Sequence, residues 1–262
     1  MKLVKKIVCG FVLCLSFFVF SIQASDIAKE KRWADQVVDE IMTGDAIWLQ
    51  ADGRKFLGIY AESTNDQVLG AAIILHGVGV HPNWADVIHP LRTRLPESGW
   101  HTLSLQLPIL PNKAEFKEYA PLFVEIAPRI DAAVAYLRKK RVETIVLIGH
   151  SLGATMAGYY VANNKGANVR ALVAIGATGN TFKDPKRDYI QSLKNIMIPI
   201  LDLSGTEDLP DVTRTKELKA RTAKTAGNKR YQQIEIPGAN HFLVGKENEL
   251  VKEVSDWLKR NV

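Results

Sequence analysis

A serine between two glycines, an acid beyond a later apolar run and a histidine near the C-terminus occur in that order along the chain. Together these residue types can perform nucleophilic acyl transfer. The serine is Ser151, in Gly149-His150-Ser151-Leu152-Gly153. A serine hydroxyl attacks a carbonyl only when a base takes its proton, and the base needs a carboxylate to hold its tautomer and stabilise its charge. The pentapeptide alone is a frequent chance pattern, so its flanks decide. Val142 to Ile148 reads as a buried strand and Leu152 to Gly158 as the start of a small-residue helix. Ser151 is therefore predicted on a sharp strand-to-helix turn that projects Oγ above a sheet.

In the α/β-hydrolase fold, which this strand, turn and helix resemble, the acid and then the base follow the serine in sequence. Ile198 to Asp208 supplies a strand, a glycine turn at Gly205 and a carboxylate three residues on, so Asp208 is the expected acid, with its neighbour Glu207 as the alternative. Asp202 falls inside the strand and Asp211 reads as a helix cap. Of the six histidines, only His241 follows Asp208. It lies in Pro237-Gly238-Ala239-Asn240-His241-Phe242, between the final strand and the C-terminal helix, and is the expected general base.

An oxyanion needs two N–H donors. Leu152, at the helix N-terminus, is one. The other is expected from the glycine-rich turn Leu75-His76-Gly77-Val78-Gly79, with Val78 as the choice and Gly77 in reserve; His76 is read as bracing that loop. His81 and Trp84, just beyond it, are candidates for the substrate pocket.

The elements that must hold these residues follow from periodicity. Asp26 to Met42 has apolar residues at helical spacing and stops at Gly44, an N-terminal amphipathic helix. Ala46 to Leu49 and Lys55 to Tyr60 flank Asp52-Gly53, an antiparallel hairpin. From residue 70, apolar runs at 71–75, 102–107, 144–148, 171–175, 198–203 and 231–236 alternate with helical stretches at 83–96, 115–140, 152–164, 185–194, 211–225 and 247–260. The reading is an α/β fold: a twisted, mostly parallel sheet of about eight strands, flanked by helices. No insertion is long enough for a large lid domain, although Thr178 to Asn195 could form a short one hinged at Gly176, Gly179 and Pro185.

Lys2, Lys5 and Lys6 precede an apolar run from Ile7 to Ile22, about sixteen residues and shorter than the roughly twenty that span a bilayer. With Ala24 before the cut, residues 1–24 are expected to be a cleaved signal peptide and residues 25–262 a single domain. Both cysteines, Cys9 and Cys14, lie inside that segment, leaving no disulfide or thiol chemistry, and neither has a lipid-attachment context. The net charge of +6 includes the three signal lysines and no signal acids, so the remainder carries +3, an ordinary solvated surface. Arg138-Lys139-Lys140-Arg141 ends a helix and lacks interleaved aromatics, so no nucleic-acid partner is expected. No phosphate-binding glycine loop and no metal-ligand spacing occurs, so no cofactor and no metal are implied.

From about residue 70 to the C-terminus, strand, elbow, acid and histidine resemble the α/β-hydrolase superfamily. More narrowly, Leu75-His76-Gly77-Val78-Gly79-Val80-His81-Pro82-Asn83-Trp84, Gly99-Trp100-His101-Thr102-Leu103-Ser104-Leu105-Gln106-Leu107-Pro108 and Lys31-Arg32-Trp33-Ala34 look like a group of functionally uncharacterised exported bacterial proteins on this fold. That resemblance implies a periplasmic or secreted setting. The expected activity is hydrolysis of an ester, thioester or amide through an acyl-enzyme, carboxylester cleavage first, on a small-molecule or lipid-like acyl substrate. The alternative is a catalytically silent binding or envelope-assembly protein on the same scaffold.

Overall fold

The computed structural model describes residues 25–164, 166, 168–179 and 188–262. Residues 1–24, expected to be a signal peptide, and residues 180–187 of the Thr178 to Asn195 stretch lie outside these.

β1 (Asp45–Ala51) and β2 (Arg54–Ala61) form the expected hairpin, turning through Asp52 and Gly53, both with positive φ. β3 (Gly70–Leu75), β4 (Trp100–Leu105), β5 (Ile145–His150), β6 (Ala171–Ile175), β7 (Ile200–Glu207) and β8 (Tyr231–Asn240) complete one sheet in the order β1-β2-β4-β3-β5-β6-β7-β8. β2 is antiparallel to both neighbours, and β3 to β8 are mutually parallel. Because successive strand residues point to opposite faces, the continuous apolar runs feed two cores. Ile73, Leu75, Leu147 and Leu172 face one side, with residues of α3 (Phe123–Lys139), α4 (Leu152–Asn163) and α5 (Tyr189–Leu193). Ala72, Ile74, Ile148 and Val173 face the other, with α2 (Ile88–Arg94) and α8 (Glu247–Asn261). α1 (Ile27–Asp39) lays Ala34 and Val37 on Leu57 and Ile59 of β2.

Several helices are shorter than their periodicity suggests. The stretch 115–140 opens as a 3₁₀ helix, Phe116–Leu122, and becomes α-helical only at Phe123. Pro121 has no N–H to donate and disfavours the α conformation in the residue before it. The stretch 83–96 yields only α2 and a 3₁₀ turn over Leu95–Ser98. The stretch 211–225 divides at Thr215 into α6 (Pro210–Arg214) and α7 (Lys216–Thr225).

The opposite correction applies to β7 and β8, which run on past the expected ends at Leu203 and Ile236. Gly205 is consequently a strand residue rather than a turn glycine. A Cβ there would collide with the Ala239 carbonyl of β8, so glycine is needed for close approach. The pairing slips between Gly205 and Glu207, and this irregularity carries both strands to the site. Asp211 is likewise inside α6, whose cap position is Leu209.

Candidate active site

β5 ends at His150 and α4 begins at Leu152, so Ser151 alone makes the turn, with φ +54° and ψ −119°. Left-handed φ costs a non-glycine residue on the order of 1–2 kcal/mol. The surroundings hold it there. Ser151 N–H donates to the Ile175 carbonyl at 2.8 Å. A side chain at Gly149 would strike the backbone of Gly153 and Ala154, and one at Gly153 would strike the carbonyls of Leu75 and His76. Both elbow glycines are therefore required by helix-to-strand contact.

The structure brings Ser151, His241 and Asp208 into one hydrogen-bonded chain. Ser151 Oγ is 3.0 Å from His241 Nε2, and His241 Nδ1 is 2.6 Å from Asp208 Oδ1. With Asp208 ionised, Nδ1–H donates to it and Nε2 is left to accept the serine proton. Burial by itself raises the Asp208 pKa. The hydrogen bond and charge of His241, with the N–H groups of Leu209 and Gly205, outweigh that and hold the carboxyl below its usual 3.8. Glu207, the alternative acid, is exposed at the end of β7 opposite Asn240. Asp202 points instead into a buried pair with Lys219 at 2.9 Å.

The loop after β3 abuts the serine: a Cβ on Gly77 would stand 3.4 Å from Ser151 Cβ. Val78 follows Gly77 and lines the cavity, Leu152 follows Ser151, and among the described residues neither backbone N–H donates a hydrogen bond. His76 braces the loop, donating from Nδ1 to the Gly77 carbonyl at 2.8 Å and accepting at Nε2 from Leu107 N–H at 2.9 Å. Full burial lowers its pKa to about 3, so it stays neutral.

Above Ser151 and His241 opens a cavity of about 550 Å³, walled mainly by Val80, Trp84, Phe116, Leu209 and Phe242, with Thr178 and Asp211 as polar lining. Trp84 is thus on the wall. His81 is not; it packs edge-on between Trp84 and Trp33 of α1, with ring centroids 5.5 and 4.6 Å away, and supports the wall from behind.

Sequence reasoning missed two contributors. His150, read only as part of the elbow, is buried beside His241, and its Nε2–H donates to the His241 carbonyl at 3.0 Å. Its adjacency to Ser151 was the available signal. Gly176 closes over the imidazole, where a Cβ would lie 2.9 Å from His241 Cε1. Phe116, Leu209 and Asp211 reach the cavity from separate segments, and no local pattern announces them.

No group of three or more His, Cys, Asp or Glu among the described residues could hold a metal ion. No helix among them is long and apolar enough to cross a membrane.

The fold of the chain is shared with solved structures of known proteins. Est1E from Butyrivibrio proteoclasticus superposes with a TM-score of 0.62 at 16% identity, over 82% of this chain and 98% of that one. A dienelactone hydrolase from Anabaena variabilis gives 0.65 at 18%, over 83% and 97%. The Pyrococcus furiosus esterase Pf2001 gives 0.63 at 18%, over 82% and 91%. At these identities the likeness establishes the α/β-hydrolase fold. No curated protein matches by sequence. A family model described as "Protein of unknown function (DUF3530)" matches residues 27–122 and 117–260.

Proposed function

The chain belongs to the DUF3530 family, whose description assigns no reaction, and from the geometry of its own residues we propose that it is an exported serine hydrolase cleaving carboxylic esters. The observation that carries this reading is the chain of contacts from Ser151 Oγ through His241 to Asp208, at 3.0 and 2.6 Å, on the floor of an open cavity.

His241 Nε2 takes the serine proton as Oγ attacks the ester carbonyl. The oxyanion is met by the N–H groups of Leu152 and Val78 at the positive end of α4. His241 returns the proton to the leaving alcohol, and water, activated by the same imidazole, hydrolyses the acyl-serine. Asp208 holds the productive tautomer and stabilises the imidazolium. The cavity wall is apolar and, among the described residues, carries no Lys or Arg, while Asp211 stands at its rim. Such a wall favours an uncharged ester with an apolar acyl or alcohol group and disfavours an anion. The basic and apolar leader at residues 2–22 supports action in the bacterial envelope.

A fluorophosphonate probe should label the wild-type protein and not Ser151→Ala, and chromogenic esters should be hydrolysed only by the former. Unchanged labelling in Ser151→Ala, or no labelling of the wild type, would overturn the proposal; the second result would favour the silent binding scaffold.

A further inference from the structure

Ser25 is buried against α3. Its backbone N–H donates to Glu125 Oε1 at 3.3 Å and its hydroxyl to Oε2 at 2.8 Å, and both residues are less than a tenth exposed. The next residues continue the attachment. Asp26 N–H donates to the Ile109 carbonyl at 2.7 Å, and Lys29 Nζ to that of Leu110 at 2.9 Å. Glu30 pairs with Arg129 at 2.9 Å, and Arg129 also donates to the Gln106 carbonyl at 2.8 Å. The N-terminal end of α1 is thus fastened to the body of the protein by buried polar contacts, and polar groups are buried at little cost only when so matched. A backbone amide is a neutral single donor to Glu125. An ammonium at the same atom would bring three donors and a full charge, the stronger partner for a buried carboxylate.

We infer that Ser25 is the N-terminus of the working protein and that its α-ammonium pairs with Glu125, latching α1 in place. The step that creates it is hydrolysis of the Ala24–Ser25 peptide bond by an envelope signal peptidase. Water's oxygen joins the Ala24 carbonyl carbon, the C–N bond breaks, and both water protons end on the Ser25 nitrogen, leaving a carboxylate and an ammonium. Ala24 supplies the small residue that such cleavage needs. The latch also reaches the cavity: Trp33 of α1 stacks on Trp84, with centroids 6.5 Å apart, and Trp84 forms part of the wall. None of this depends on Ser151 being a nucleophile, so its failure and that of the hydrolase reading are separable.

The test has two arms. The full 262-residue chain is produced in a Gram-negative host, and the intact mass of the exported protein is measured. A mass beginning at Ser25 is expected; a start elsewhere, or retention of residues 1–24, overturns the inference. Protein beginning at Ser25 is then compared with protein retaining Ala24, each with Glu125 and with Glu125→Gln. The extra residue should lower Tm by about 2–4 °C beside Glu125 and by much less in the Glu125→Gln background. No shift in the Glu125 pair, or equal shifts in both pairs, overturns the latch; the Glu125 pair is decisive even if Glu125→Gln fails to fold.

Discussion

His150 and His241 are joined through side chain and backbone: the His150 Nε2–H donates to the His241 carbonyl at 3.0 Å, with the ring centroids 5.0 Å apart. Burial, followed by the neighbouring charge of His241, lowers the His150 pKa to about 4, although its hydrogen bond to the His241 carbonyl opposes the shift. The ring is therefore neutral at pH 7 and donates from the same nitrogen throughout the working range. This residue positions the proposed base and takes no proton itself. His150→Phe should keep the packing and lose the donor, slowing fluorophosphonate labelling about tenfold, equivalent to one hydrogen bond of about 1.4 kcal/mol. His150→Gln should recover most of the rate. Labelling of the Phe variant at the wild-type rate would remove the positioning role.

His76 is fully buried with a folded pKa of about 3, against 6.5 for the free side chain. A histidine held neutral contributes stability above the unfolded pKa and loses it as pH falls, because the unfolded chain takes a proton that the folded chain refuses. Between pH 6.5 and pH 5 this one residue should remove about 1.6 kcal/mol. Urea unfolding at the two pH values should show that loss, and His76→Gln should flatten the slope by about one proton. An unchanged slope would mean that His76 is charged or solvated.

Gly176 has φ +59°, and any Cβ there approaches the His241 ring. Gly176→Ala should displace the imidazole from Ser151 as well as straining the backbone by about 1–2 kcal/mol. The prediction is more than a tenfold loss of labelling in a protein that still unfolds cooperatively. Full labelling would show that the ring has room to move.

A buried pair beneath the same loop gives the fourth prediction. Lys219 bonds Asp202 at 2.9 Å and the Ala177 carbonyl at 3.1 Å, next to Gly176, and Tyr231 donates its hydroxyl to Asp202. Lys219→Met leaves a buried carboxylate uncompensated and should cost about 3–5 kcal/mol. Adding Asp202→Asn should recover a large part of it, as measured by denaturant midpoints. If the double variant is no better than the single, the pair does not couple.

Much of this molecule is legible in residue order, because its signals are local. Eight strands could be counted from apolar runs, and Ser151 could be placed on its elbow from Gly149 and Gly153, since strand, tight turn and helix each follow from neighbouring residues. The order of serine, acid and histidine left His241 as the expected base and Asp208, with Glu207 as its alternative, as the expected acid. What residue order could not supply was distance. The continuation of β7 and β8 past their apolar cores, the slip at Gly205 that delivers Asp208, and the hold of His150 on the His241 backbone depend on segments far apart in the chain meeting in space. So does the cavity, whose wall draws Trp84, Phe116 and Leu209 from three separate segments. Such contacts are decided by packing, in which each side chain takes the space the others leave. Sequence alone therefore specified which groups could react, and the tertiary structure decided which of them touch and what surrounds them.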